Sequence, residues 1–128
     1  MACQPSDLPR LLVLSPAIPE TNFAGSLLLY RLLTGYPRER LCCVGPAPHP
    51  KSQLLEASYR TLRPGSFSRL KLTRAAKLTR SFESLGLLGR IPPRAIWEAV
   101  GPFPPDVVLS VMERLDYCEA AMAVSQKR

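Results

Sequence analysis

The sequence predicts an α/β fold, a parallel sheet with helices on both faces, because apolar runs of strand length alternate with a helical segment. The run Leu11-Leu12-Val13-Leu14 is apolar throughout and leads into Ser15-Pro16. After a polar loop, a Leu-rich segment at 25–34 is followed by Gly35 and Pro37, which end helices. A second apolar run, Leu41-Cys42-Cys43-Val44, comes a few residues later. Strand, helix and strand in this order open a βαβ unit, whose strands are parallel.

The remaining segments continue the alternation of strand and helix. The predicted elements are a strand at 10–15, a helix at 25–34 with Thr21, Asn22 or Ser26 as N-cap, a strand at 40–44, a short helix at 51–58, a strand at 59–62, a long helix at 66–87, a short helix at 92–100, a strand at 106–111 and a helix at 114–126. About four strands make an incomplete Rossmann-like sheet, and a further strand is expected after Arg128. Residues 1–9 are expected to form a flexible tail, and residues 10–128 a partial Rossmann-like domain.

The amino-acid composition limits the classes of protein to which the chain can belong. The chain has 128 residues, of which 46% are hydrophobic, enough for one core. No apolar run reaches the roughly 18–20 residues that span a bilayer, and no secretory signal is visible, so a cytoplasmic location is expected. No metal site is expected, because the four cysteines form no C-x-x-C pair and His49 is the single histidine. Cys42 and Cys43 are expected to be buried thiols on opposite faces of a strand.

The positive charge is concentrated in one segment. The net charge is +7, and seven basic residues with no acid lie between Glu56 and Glu83. In the predicted helix at 66–87, apolar residues gather on one side and basic residues on the other. A solvated face, contact with an anionic membrane surface and contact with nucleic acid all remain open, and nucleic acid is least favoured because no binding motif is present. The basic residues of this face are Arg69, Arg74, Lys77 and Arg80.

Several segments are similar to one enzyme family. Gly25 follows a loop of prolines and small residues and is followed by Leu29-Tyr30-Arg31-Leu32-Leu33. The later strand Pro105-Asp106-Val107-Val108-Leu109-Ser110-Val111 and the helix containing Ala120-Ala121-Met122-Ala123 complete the pattern. Together with the strand ending in Ser15-Pro16, these segments resemble the N-terminal domain of GT-B-fold glycosyltransferases, in particular the retaining, family-4-like hexosyltransferases.

The resemblance implies the acceptor-side half of an enzyme that moves a sugar from a nucleotide sugar to an acceptor. In that family the nucleotide sugar is the donor substrate and is bound largely by a second domain. The chain is therefore expected to be truncated, to bind no cofactor itself and to be inactive alone, with a second glycosyltransferase domain as its partner. A peripheral position at the membrane is also expected, since many such enzymes act on membrane-linked acceptors.

The candidate acceptor-binding residues lie where the predicted strands end. Gly25 would let a ligand approach the backbone N–H groups at the helix entrance, and Asn22 or Ser26 would donate to an acceptor hydroxyl or to a phosphate. Glu113 follows the strand at 106–111 and would accept from a sugar hydroxyl. Each residue has a structural alternative: a turn glycine, capping residues and a first-turn acid. No catalytic residue is assigned.

Two other functions remain open. The chain could be a non-enzymatic basic α/β module that binds anionic membrane or nucleic acid, or a non-functional truncated remnant. His49 is expected to be a surface residue without a partner, and Trp97 a core or interface side chain.

Overall fold

The computed structural model of the chain describes residues 7–62, 91–111 and 115–126, with side chains described from Tyr117 onwards in the last segment. Its strands form a four-stranded, all-parallel sheet in the order β3-β2-β1-β4. This arrangement confirms the predicted α/β, Rossmann-like and incomplete sheet. In chain order the elements are β1 (Leu11–Leu14), α1 (Ala24–Leu33), a 3₁₀ turn (Arg38–Arg40), β2 (Leu41–Gly45), β3 (Ser58–Thr61), α2 (Pro93–Val100), β4 (Val107–Ser110) and α3 (Leu115–Ser125).

The two central strands are buried along their whole length. Every residue of β1 and of β2 is buried, as expected for parallel strands covered on both faces. Leu11 pairs with Leu41 on one side and with Val107 on the other. The edge strands β3 and β4 are more exposed, which explains why β3 gives the weaker apolar pattern.

Helices cover both faces of the sheet. Alternate residues of β1 and β2, including Leu12 and Cys42, pack with Ile96 of α2 and Val124 of α3. The intervening residues, Val13 and Cys43 among them, pack with Leu33 of α1. The prediction that Cys42 and Cys43 are buried on opposite faces is confirmed. Trp97 is half-buried against the first of these clusters, as expected.

The direction in which successive strands are added to the sheet reverses at β1. It moves outwards from β1 to β2 and β3, and then returns to place β4 on the other side of β1. The amino ends of β1 and β4 are joined at Arg10 and Asp106. The Arg10 N–H donates to the Asp106 carboxylate over 2.8 Å, and the Asp106 N–H donates to the Arg10 carbonyl over 2.7 Å. Ligands of such sheets bind outside the carboxyl ends of the strands.

Two local predictions are wrong. Residues 51–58 form no helix, because their backbone pairs instead with the loop after β1 through an antiparallel bridge between Glu20 and Leu54. None of the predicted residues caps α1: its N-cap is Phe23, which makes no side-chain capping bond. The Thr21 hydroxyl accepts from the Gln53 N–H over 3.0 Å, and Ser26 is buried inside the first turn.

Other predictions lie partly or wholly outside the described residues. The long helix at 66–87 and its basic face lie there, as do residues 1–6 of the predicted tail. At the other end of that tail, Tyr36 donates a hydrogen bond to the Pro9 carbonyl and Arg40 one to the Leu8 carbonyl. Among the described helices, none is long and apolar enough to cross a membrane.

Candidate functional site

A pocket lies at the carboxyl ends of β1 and β2. Its volume of about 530 Å³ falls within the range of about 300–1,000 Å³ that is usual for small-molecule sites. One wall is the loop that leads from β1 into α1, and the other is the turn that follows β2. The lining residues are Pro16, Ala17, Ile18, Glu20, Phe23, Gly25, Ser26, Pro46, Ala47, Pro48, His49 and Pro50.

Close backbone packing holds the first wall in place. A Cβ added to Gly45, at the end of β2, would lie 2.5 Å from the Ser15 carbonyl oxygen and 2.7 Å from Cγ2 of Ile18. Only glycine fits this approach without a shift of the loop. The Ser15 N–H donates to the Val44 carbonyl over 3.2 Å, and its hydroxyl accepts from the Ala17 N–H over 3.0 Å. These contacts hold the loop in one position directly after β1.

Tyr59 of β3 holds the far end of the same loop. Its hydroxyl donates to the Pro19 carbonyl over 2.9 Å and accepts from the Leu55 N–H over 3.1 Å. Burial, with a smaller contribution from Cys43, raises the pKa of Tyr59 to about 12. The hydroxyl thus keeps its proton at neutral pH and remains a donor.

Glu20 is the charged side chain buried in the pocket wall. The residue is 4% exposed, and its Oε2 accepts from the backbone N–H of His49 over 2.9 Å. Within residues 7–62, 91–111 and 115–126, no other hydrogen bond and no ion pair reaches this carboxylate. Glu20 thus leaves an acceptor oxygen without a hydrogen bond in the wall of a ligand-sized space.

The entrance of α1 supplies donors to the same pocket. The first helical bond runs from the Leu27 N–H to the Phe23 carbonyl over 2.7 Å. The N–H groups of Gly25 and Ser26 have no acceptor in the described part of the chain, as is usual for an uncapped first turn. Ser26 is 3% exposed, and its hydroxyl also lacks a partner among the described residues. Donors and an acceptor thus face one space.

The buried thiols do not suit nucleophilic chemistry. Burial raises the pKa of Cys43 to about 12 and also raises the pKa of Cys42. The nucleophilic form of cysteine is the thiolate, so both side chains stay protonated and inert near neutral pH. In the described part of the chain, no group of three or more His, Cys, Asp and Glu side chains could hold a metal ion.

The structure brings together two of the predicted acceptor-binding residues. Gly25 and Ser26 both line the pocket. Asn22 lies in the same loop with an exposed side chain, but it is not among the lining residues. Glu113 lies outside the described residues, as do all four predicted anion contacts: Arg69, Arg74, Lys77 and Arg80. The binding roles of these residues stay predictions.

Glu20, Phe23 and His49 also line the pocket. The sequence predicts the loop at 16–26 as an acceptor wall, which includes Glu20 and Phe23, but it singles out none of these three residues. Glu20 stands in a polar, proline-containing loop, where an acid is normally solvated, and its burial depends on the distant bridge to Leu54. The available signal was its position after the first apolar strand, where sheets of this class bind ligands. His49 is exposed, as expected, but its backbone N–H has a partner in Glu20.

The fold and the pocket define an α/β protein with a ligand-sized site at the carboxyl edge of a parallel sheet. Comparison of the chain with protein-family models, curated proteins and solved structures gave no match. The function must therefore be argued from the site itself.

Proposed function

We propose that this chain is the acceptor-side half of a glycosyltransferase that moves a sugar from a nucleotide sugar to an acceptor. The observation that carries the proposal is the buried, incompletely hydrogen-bonded Glu20 in a pocket at the carboxyl edge of the sheet. The resemblance in sequence supports it, because the Gly25 that belongs to the family-like pattern lines the same pocket. A retaining, family-4-like enzyme is the specific form that we propose.

The pocket residues fit the task of holding an acceptor. In the reaction, an acceptor oxygen bonds to the anomeric carbon of the donor sugar, the bond to the nucleoside diphosphate breaks, and the proton of the acceptor hydroxyl passes to the departing diphosphate. Glu20 would accept a hydrogen bond from an acceptor hydroxyl, while the N–H groups of Gly25 and Ser26 would donate to neighbouring oxygens. Fixing the acceptor in this way lowers the entropic part of the barrier. The nucleotide sugar would be held by a second domain.

Complementation with such a domain tests the proposal. The chain would be fused to the nucleotide-sugar-binding domain of a GT-B hexosyltransferase and incubated with a panel of nucleotide sugars and glycosides, with products detected by mass spectrometry. We expect transfer by the fusion and none by either half alone. Glu20→Gln should lower the rate, while Glu39→Gln, which changes an exposed acid of the 3₁₀ turn, should not. The proposal fails if a folded fusion transfers no sugar, or if the 128-residue chain alone does.

A further inference from the structure

We infer that the pocket selects an electrically neutral, hydroxyl-bearing sugar ring and rejects phosphorylated and amino sugars. The inference rests on the proposed function, whose acceptor class it names. Glu20, the entrance of α1 and Phe23 supply three independent observations, and all three concern residues that line one pocket.

The carboxylate of Glu20 makes the binding of an anionic ligand unfavourable. Its carboxylate is 4% exposed and has no cation beside it in the described part of the chain. A phosphate in the same pocket would place like charges close together. The site also differs from a phosphate cradle in this respect, since phosphates bound at helix entrances are normally approached by cations or by neutral backbone alone.

The N-terminus of α1 makes the binding of a cationic ligand unfavourable. The helix presents the positive end of its dipole through the free N–H groups of Gly25 and Ser26. An ammonium group would pair with Glu20, but it has no lone pair and could not also accept from these N–H groups or from the Ser26 hydroxyl. A hydroxyl group both donates and accepts, so neighbouring hydroxyls of one sugar ring satisfy Glu20 and the helix entrance together.

Phe23 supplies the apolar surface that a sugar ring needs. It is 61% exposed although it lines the pocket, and an aromatic ring of this size is normally covered. The C–H face of a pyranose is apolar and would cover the exposed ring of Phe23. The pocket thus matches both the polar edge and the apolar face of a neutral sugar.

Three monosaccharide probes separate the charge classes: methyl α-D-glucoside, glucose 6-phosphate and glucosamine. Each would be titrated into the 128-residue chain labelled with nitrogen-15, with dissociation constants taken from the amide shifts of Gly25, Ser26 and His49. We expect methyl α-D-glucoside to bind most tightly of the three. Tighter binding of glucose 6-phosphate or of glucosamine, or no saturable shift with any probe, would overturn the inference.

Glu20→Gln is the decisive variant because its amide can still accept from the His49 N–H while the charge is lost. We expect affinity for methyl α-D-glucoside to fall about tenfold and affinity for glucose 6-phosphate to rise. Phe23→Ala should weaken all three probes about fivefold. Glu39→Gln serves as the matched control and should leave every constant unchanged. A merely structural role for Glu20 would weaken the neutral and anionic probes alike, and that result would contradict the inference.

The outcomes separate this inference from the proposed function. If the probes bind in the expected order and the fusion described above transfers no sugar, the charge selection stands and the enzymatic proposal fails. If the fusion transfers sugar to a phosphorylated or amino acceptor in preference to a neutral one, the enzymatic proposal stands and the charge selection fails.

Discussion

Gly45 is a residue at which the structure leaves no room for a side chain. Its missing Cβ would lie 2.5 Å from the Ser15 carbonyl oxygen, a backbone atom that cannot swing aside. We predict that Gly45→Ala destabilises the fold by about 3 kcal/mol, since the loop after β1 must shift. Gly35→Ala is the control, because Gly35 has space around it and needs glycine only for its φ of +86°. That change should cost about 1 kcal/mol. Urea unfolding measures the loss of stability in both variants. Equal losses would contradict the close contact between Gly45 and the Ser15 carbonyl.

Cys43 makes stability depend on pH at the alkaline end. Burial raises the pKa of its thiol from 9.0 to about 12, so the folded state keeps a proton that the unfolded chain releases above pH 9. The contribution of this thiol to stability is complete below pH 9 and is lost as the pH rises towards 12, by up to about 1.4 kcal/mol per pH unit.

The pH dependence can be measured with one variant. Urea unfolding near pH 7 and near pH 10 should show a fall in the free energy of unfolding that is about 1 kcal/mol smaller for Cys43→Ala than for the natural chain. The free energy of unfolding of Cys43→Ala should still fall between these pH values, because burial also raises the pKa of Tyr59 to about 12. The assignment to Cys43 is wrong if both proteins decline equally.

At the scale of elements, α1 is attached to the sheet by one face. Leu29 is 7% exposed, whereas its neighbour Leu28 is 70% exposed. We predict that Leu29→Ala costs about 3 kcal/mol through the lost burial and the cavity that remains. Leu28→Ala should cost less than about 0.5 kcal/mol and controls for helix propensity. Thermal and urea unfolding would measure the two losses, and a comparable loss for Leu28→Ala would show that its side chain is covered in solution.

Elements with a local signal could be predicted, and those fixed by distant partners could not. The strand of Leu11-Leu12-Val13-Leu14 is apolar because both faces of the sheet are covered, so burial is visible in the sequence itself. The end of α1 was visible because Gly35 supplies a left-handed residue. Residues 51–58 were misassigned as a helix because their pairing with Glu20 crosses more than thirty residues.

The candidate site shows the same division. Gly25 and Ser26 could be placed at the pocket because they lie at the start of the helix that follows the first strand. Glu20 lies in the predicted acceptor wall at 16–26, but its burial could not be predicted because its contacts, His49 and Leu54, lie in another loop. An acid in a proline-containing loop gives no sign in the sequence of such a distant backbone partner.

At the scale of the whole molecule, the order β3-β2-β1-β4 places the reversal of the chain beside β1. The loop after β1 therefore lies at the edge where parallel sheets bind ligands, and Gly45 and Tyr59 hold it in one position. The geometry supplies a ligand-sized pocket at this edge. Our proposal that this chain holds the acceptor while another domain holds the nucleotide sugar rests on the resemblance in sequence.

Amide shift mapping with two separate ligands tests whether this chain holds the acceptor and not the nucleotide sugar. Methyl α-D-glucoside and a nucleotide sugar, UDP-glucose, would each be added to the nitrogen-15-labelled chain. We expect saturable shifts at Gly25, Ser26 and His49 with the glycoside, and no saturable shift there with the nucleotide sugar. Saturable binding of UDP-glucose at these amides, with no response to the glycoside, would contradict the proposal.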